Sequence, residues 1–387
     1  MFQLLPNKLY AFTAPDGRQR HYVDRKRWAW LASVFYPLFP VYAVLLHATT
    51  GLEWTLWVPV LASYSIIPIL DHLLGEDRSN PPEETVSELE SDRYYRILTW
   101  ITMPLHYVSL VVAVWWVTTA GLSPLGWIAM LYTAGLAAGL AVNTGHEMGH
   151  KRSKVDQILA RFALAVPGYG HFGVEHNFGH HKYVATPDDP ASSRYNESIY
   201  RFALREVPGA ARRAWGIERQ RQARRGRSFW TWHNEILQSY AITLVVQGTL
   251  VVAFGWLALL FLLIHNVIGY LQLTSANYVE HYGLLRQQGP DGRYERCQPH
   301  HSWNSNHVMS NLLLFHLERH SDHHANPQRR YQSLRDFDEV PRLPNGYFAM
   351  FLLAYVPPLW FRVMNPRLLA LPHVQGDLRR VNRGKFG

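Results

Sequence analysis

The chain has 387 residues, 48% hydrophobic and 17% charged, with 14 Trp, 21 Tyr and a formal net charge of +9. Its single cysteine, Cys297, excludes an internal disulfide framework, a CxxC metal site and any Fe–S cluster held by this chain. Length alone allows two or three soluble domains, so the placement of charge decides the class.

Lys and Arg fall in four blocks, residues 1–27, 75–96, 145–234 and 276–387. Between them, residues 28–74, 97–144 and 235–275 contain neither, and their acids are Glu53, Asp71 and Glu235 alone. A membrane span takes about 20 apolar residues at about 1.5 Å each, so every stretch has room for a pair. Thr49-Thr50-Gly51, Gly121-Leu122-Ser123-Pro124 and Phe254-Gly255-Trp256 mark the turns. The run after Arg25-Lys26-Arg27 is span-length and lacks a small-residue cleavage site, so it reads as a span and not as a leader. The predicted fold is an all-α membrane protein with six transmembrane helices in three hairpins, at about 28–48, 54–74, 97–118, 125–144, 235–253 and 256–275.

Basic residues collect on the cytoplasmic side of membrane proteins. Both termini and segments 145–234 and 276–387 are therefore placed in the cytoplasm, forming a helical, histidine-rich cap. Segments 155–173 and 347–363 are too short or too interrupted to span and read as interfacial or cap helices. Topology explains most of the basic excess without a nucleic acid, and Arg212 to Arg227 suits anionic lipid or an acidic partner.

Sixteen of the 21 histidines lie between His146 and His324. His146-Glu147-Met148-Gly149-His150 is an i, i+4 pair on one helix face. Glu175-His176-Asn177-Phe178-Gly179-His180-His181 repeats that spacing and adds an adjacent histidine. His320-Ser321-Asp322-His323-His324 sets partners at i+3 and i+4, close enough for imidazoles to share a metal. His146 and His281 follow directly on the fourth and sixth spans, so the boxes converge at one end of the bundle. Eight or nine imidazoles exceed the needs of one metal. Zinc, copper, iron and nickel all accept neutral imidazole, and a zincin reading of the first box would leave most histidines idle. Zinc is also redox-silent, whereas two irons can activate O2 with electrons from outside.

The motifs His146–Lys151, Glu175–His181, Asn277–Leu284 and Arg319–His324 resemble those of the integral-membrane alkane 1-monooxygenases. Flanking Asn80-Pro81-Pro82, Pro299-His300-His301-Ser302-Trp303-Asn304 and Tyr331-Gln332-Ser333-Leu334-Arg335 extend the likeness over roughly residues 20–365. The resemblance implies a single membrane-embedded catalytic domain, 1–387, in the bacterial inner membrane. It implies a non-haem di-iron site that hydroxylates the terminal methyl of n-alkanes with O2. Electrons would come from rubredoxin and its NADH-dependent reductase. Carried over box by box, the iron ligands are His146, His150, His176, His180, His181, His281, His320, His323 and His324. Fatty-acid desaturases or hydroxylases and xylene-type methyl monooxygenases share the chemistry and stand as alternatives. A histidine-lined metal transporter would instead want ionisable residues within its spans.

Glu147, Glu175, Glu280, Asp189 and Asp322 adjoin ligand histidines and are candidates to accept the second ring N–H. His265, within the sixth span, is a candidate channel residue. Ser63 falls, by the Pro-x-Leu-Asp ending of the second span, where medium-chain members of the family carry a large aromatic. It is the candidate deep end of a substrate channel, against the alternative of a small packing residue. His171, His300, His301, His307 and His316 lack the box spacing and read as packing residues or as supports of the ligands rather than as ligands, and Cys297 as an incidental loop thiol.

Overall fold

The computed structural model describes residues 7–384; residues 1–6 and 385–387, and the expectations for the two chain ends, lie outside it. Among the described residues six helices are long and apolar enough to cross a membrane. They are Ala29–Thr50, Glu53–Leu74, Arg93–Thr119, Pro124–Gly149, Glu235–Phe254 and Trp256–His281, here spans 1 to 6. Gly51 and Gly255 end spans 1 and 5 with φ of 69° and 77°, a conformation that costs glycine little.

Spans 4 and 6 are longer than the apolar pattern indicated. Both continue as helix through their histidines, to Gly149 and His281. Span 4 is the central helix, 72% buried over its apolar window, whereas span 5 is 17% buried and faces outward. Spans 4 and 6 approach through small residues. A Cβ added at Gly139 would lie 2.4 Å from Cβ of Gln272, and one at Gly135 would lie 2.3 Å from Cγ2 of Ile268. Only glycine permits that distance, and it holds together the two spans that carry His146, His150 and His281.

One element departs from the all-helical expectation. Lys8–Thr13 (β1) and Gln19–Asp24 (β2) pair antiparallel, with Lys8 opposite Asp24 and Thr13 opposite Gln19. Asp16-Gly17 makes the turn, with Gly17 at φ 79°. The hairpin is tied to the start of span 3, where Asp92 accepts from Lys8 and Tyr10 at 2.7 Å and pairs with Arg27 at 2.5 Å.

The remaining chain covers the histidine-bearing end of the bundle. Lys154–Ala165 packs beside span 4, and Ile199–Arg224 crosses the end of span 6. Tyr347–Ala354 and Pro357–Leu369 meet at a 118° bend, where Pro357-Pro358 prevents one helix from continuing through. Tyr278, Tyr282, Trp303, Trp360 and Met364 form the buried core that fastens these helices to span 6.

Candidate metal centre

The structure gathers all nine box histidines into two groups. His146, His150, His176, His181 and His323 have ring nitrogens within 4.8 Å of one another, and so do His180, His281, His320 and His324. In the first group Nε2 of His323 lies 2.8 Å from that of His146 and 3.1 Å from that of His181, which is 3.1 Å from Nε2 of His176. In the second, Nε2 of His320 lies 3.2 Å from that of His281 and 2.9 Å from that of His324.

A ring nitrogen carries one proton or one lone pair. Nε2 of His323 and Nε2 of His320 each meet two others, so only one contact at each can be an N–H···N hydrogen bond. A shared cation satisfies them all. Burial, reinforced by neighbouring imidazoles, holds His176, His181, His320, His323 and His324 well below their usual range. They are neutral donors at pH 7, the form a metal takes.

The assignment within the second box differs from the i, i+4 reading. Residues His176–His180 form a π-helical turn, in which position i+5 stacks over i. His176 therefore joins His181, and His180 turns to the other group. The adjacent pairs His180-His181 and His323-His324 are each divided in the same way. Consecutive helical residues point about 100° apart, so a His-His pair serves two centres more readily than one. Rings of His181 and His324, from different groups, have centroids 4.5 Å apart.

The five acidic candidates separate sharply. Asp189 does hold a ring: its Oδ2 lies 2.9 Å from Nδ1 of His180, leaving Nε2 for the centre. Against the cost of burial, His180, Arg213 and Ser192 keep the Asp189 carboxyl well below the usual range. Glu147 turns away, to Lys151 at 3.0 Å and the Tyr331 amide at 3.3 Å. Glu175 pairs with Arg213, and Asp322 with Asn326, Arg329 and the Arg335 amide. Those three brace the cap and do not orient imidazoles. Glu280 lies 3.3 Å from Nε2 of His320, on the centre-facing side of the ring.

Arg213 is a residue that sequence reasoning missed. Its guanidinium spans Glu175 and Asp189, at 2.9 Å to the former through Nε and 2.6 Å to the latter. It lies in an arginine run readable only as surface charge, and nothing in its spacing marks it. Arg221 is likewise engaged, with Glu218 and Glu235. A broader groove lined by Arg96, Lys151, Arg152, Arg329 and Arg330 opens beside the segments that follow His150 and His324.

Beneath the histidines is an apolar cavity bounded by Leu136, Leu140, Leu273, Leu314, Leu317, Phe348 and Phe351. Asn143, one turn before His146, and Tyr347 also line it. Ser63 is fully buried rather than lipid-facing. Its Oγ lies 2.9 Å from the Tyr36 hydroxyl, whose ring centroid is 5.8 Å from that of Phe348. Ser63 thus stands behind the cavity wall. His265 does not line this cavity; it borders a smaller one with His106 and Ser109, between the spans. His171 bonds Tyr240, and His316 bonds the Tyr331 carbonyl, as packing residues do.

A six-span bundle with a histidine-walled centre above an apolar cavity defines a membrane oxygenase or desaturase. The fatty acid desaturase family profile matches residues 122–362. The chain is 52% identical to alkane 1-monooxygenase 1 of Alcanivorax borkumensis, covering 96% of this chain and 94% of that one. It is also 52% identical to alkane 1-monooxygenase of Pseudomonas putida, over 93% and 89%. A xylene/toluene monooxygenase hydroxylase component of Pseudomonas putida is 30% identical over 62% of this chain. The chain belongs to the alkane 1-monooxygenase family.

Proposed function

We propose that this enzyme hydroxylates the terminal methyl of n-alkanes at two irons held by the nine histidines, with electrons from a rubredoxin. The observation that carries the reading is the division of the nine box imidazoles into two groups directly above an apolar cavity. Bound iron would supply the redox chemistry of O2, with two electrons and two protons consumed, one oxygen atom entering the C–H bond and the other leaving as water. The protein's part is positional. An alkane offers nothing to hydrogen-bond, so Leu136, Leu140, Leu273 and Phe351 hold it by apolar contact and exclude water. The bilayer concentrates the substrate, and the placement of Lys and Arg supports a histidine-bearing end that faces the cytoplasm.

Product analysis tests this. Purified enzyme given O2, electrons and a graded series of n-alkanes and fatty acids is expected to form 1-alkanols. Desaturated or hydroxylated fatty acids as the main products would favour the alternative class.

The 387 residues hold one cysteine and thus no cysteine-ligated iron site of their own, which fits electron delivery by a rubredoxin. Rubredoxins are acidic, and the basic surface suits one, with Arg96 and Arg152 of the groove beside the segments after His150 and His324, and the run from Arg212 to Arg227, among the candidates. Turnover at limiting donor is expected to fall severalfold between low and physiological salt. Insensitivity to salt would remove electrostatic docking from the account.

Ser63 bears on chain length. Tryptophan there would displace Tyr36 and push Phe348 into the cavity, so Ser63→Trp is expected to lose activity on long alkanes and retain it on shorter ones. An unchanged length profile would take Ser63 out of the channel.

A further inference from the structure

Five carboxylates adjoin the nine imidazoles, and four are matched by a basic side chain. Glu147 has Lys151, Glu175 and Asp189 share Arg213, and Asp322 has Arg329. Glu280 is different. It is 2% exposed, and among the described residues no lysine or arginine pairs with it. Its Oε1 is buried without a hydrogen-bond partner, and its Oε2 lies 3.3 Å from Nε2 of His320. The Tyr347 hydroxyl is directed at the same carboxylate.

An ionised carboxylate is strongly disfavoured in such a place unless a cation faces it. His320 is not that cation in the loaded enzyme, because its Nε2 lone pair is turned to the centre it shares with His281 and His324. Two donors each about 2.1 Å from one metal lie about 3.0–3.4 Å apart at bond angles of about 90–109°. The Nε2 separations of 2.9 and 3.2 Å at His320 are of this size, and so is its 3.3 Å separation from Glu280. We propose that Glu280 is a carboxylate ligand of the second group, which then offers four imidazoles and one carboxylate against five imidazoles in the first. The two centres are therefore chemically unlike, and the anionic oxygen donor favours the ferric state at the second. This inference rests on the reading of the two groups as iron sites.

The test uses full-length protein loaded with 57Fe, read by Mössbauer spectroscopy and by iron content after a chelator challenge. Wild type is expected to show two components of equal area. In Glu280→Gln one component shifts while the other stays, and the chelator removes one of the two irons. Glu280→Asp, which keeps a carboxylate, retains both irons with the same component altered; it decides the matter if the glutamine variant does not fold. His323→Ala should affect the opposite component. Unchanged components and full iron retention in Glu280→Gln would overturn the ligand assignment, whatever its activity. Wild type holding fewer than two irons would instead count against the iron sites themselves.

Discussion

His323→Ala is expected to abolish alkane hydroxylation and to leave about one iron per chain. The Nε2 of His323 joins His146 to His181 at 2.8 and 3.1 Å, so its loss opens the first group from the middle. Buried, weakly basic imidazoles surround the gap, and no spare donor replaces it. The second group keeps all four histidines, so its metal should remain. His281→Ala is expected to give the converse, with the first group intact. Iron per chain and single-turnover product yield are the measurements. Because a metal bound only by the folded state stabilises it by mass action, removing it is also expected to lower the unfolding temperature. Full activity in either variant would strike that histidine from the ligand set.

Arg213→Met is expected to destabilise the cap and to misplace His180. Its guanidinium is the cation for two carboxylates, Glu175 and Asp189, that are 3% and 1% exposed. Removing one partner of a buried ion pair costs about 3–5 kcal/mol, because the remaining charge stays buried. Here two acids are stranded together. Asp189 then loses the partner that steadies it against Nδ1 of His180, and the ring is freer to turn from the centre. Thermal unfolding should show the loss, and iron retention should fall mainly in the second group. Arg213→Lys keeps the charge but cannot span both carboxylates as a planar fork, so partial recovery is expected. A variant of unchanged stability and iron content would make Arg213 an ordinary surface arginine.

Much of this protein is legible along the chain. Spans reveal themselves because lipid tolerates few charges, so three runs without Lys or Arg mark six helices and glycines mark their turns. Eight of the nine histidines stand out because their i+3 and i+4 spacing is rare by chance and occurs three times; His281 stands alone and is marked only by the resemblance of the Asn277–Leu284 motif. The β1–β2 hairpin was passed over, although Asp16-Gly17 is a turn signal between short runs of strand-forming residues.

Other features needed the third dimension. Spacing placed His176 with His180, but a π-helical turn moves the register by one residue and pairs His176 with His181. Likewise, Glu147 and Asp189 are both acids close to histidines in sequence, yet one faces Lys151 and the other a ring nitrogen. Arg213, Ser63 and Glu280 meet residues many positions away, Glu175, Tyr36 and His320 among them. A local pattern can say which side chains share a helix face. Which groups those faces meet is decided by the packing of spans 4 and 6 and of the cap laid across their ends.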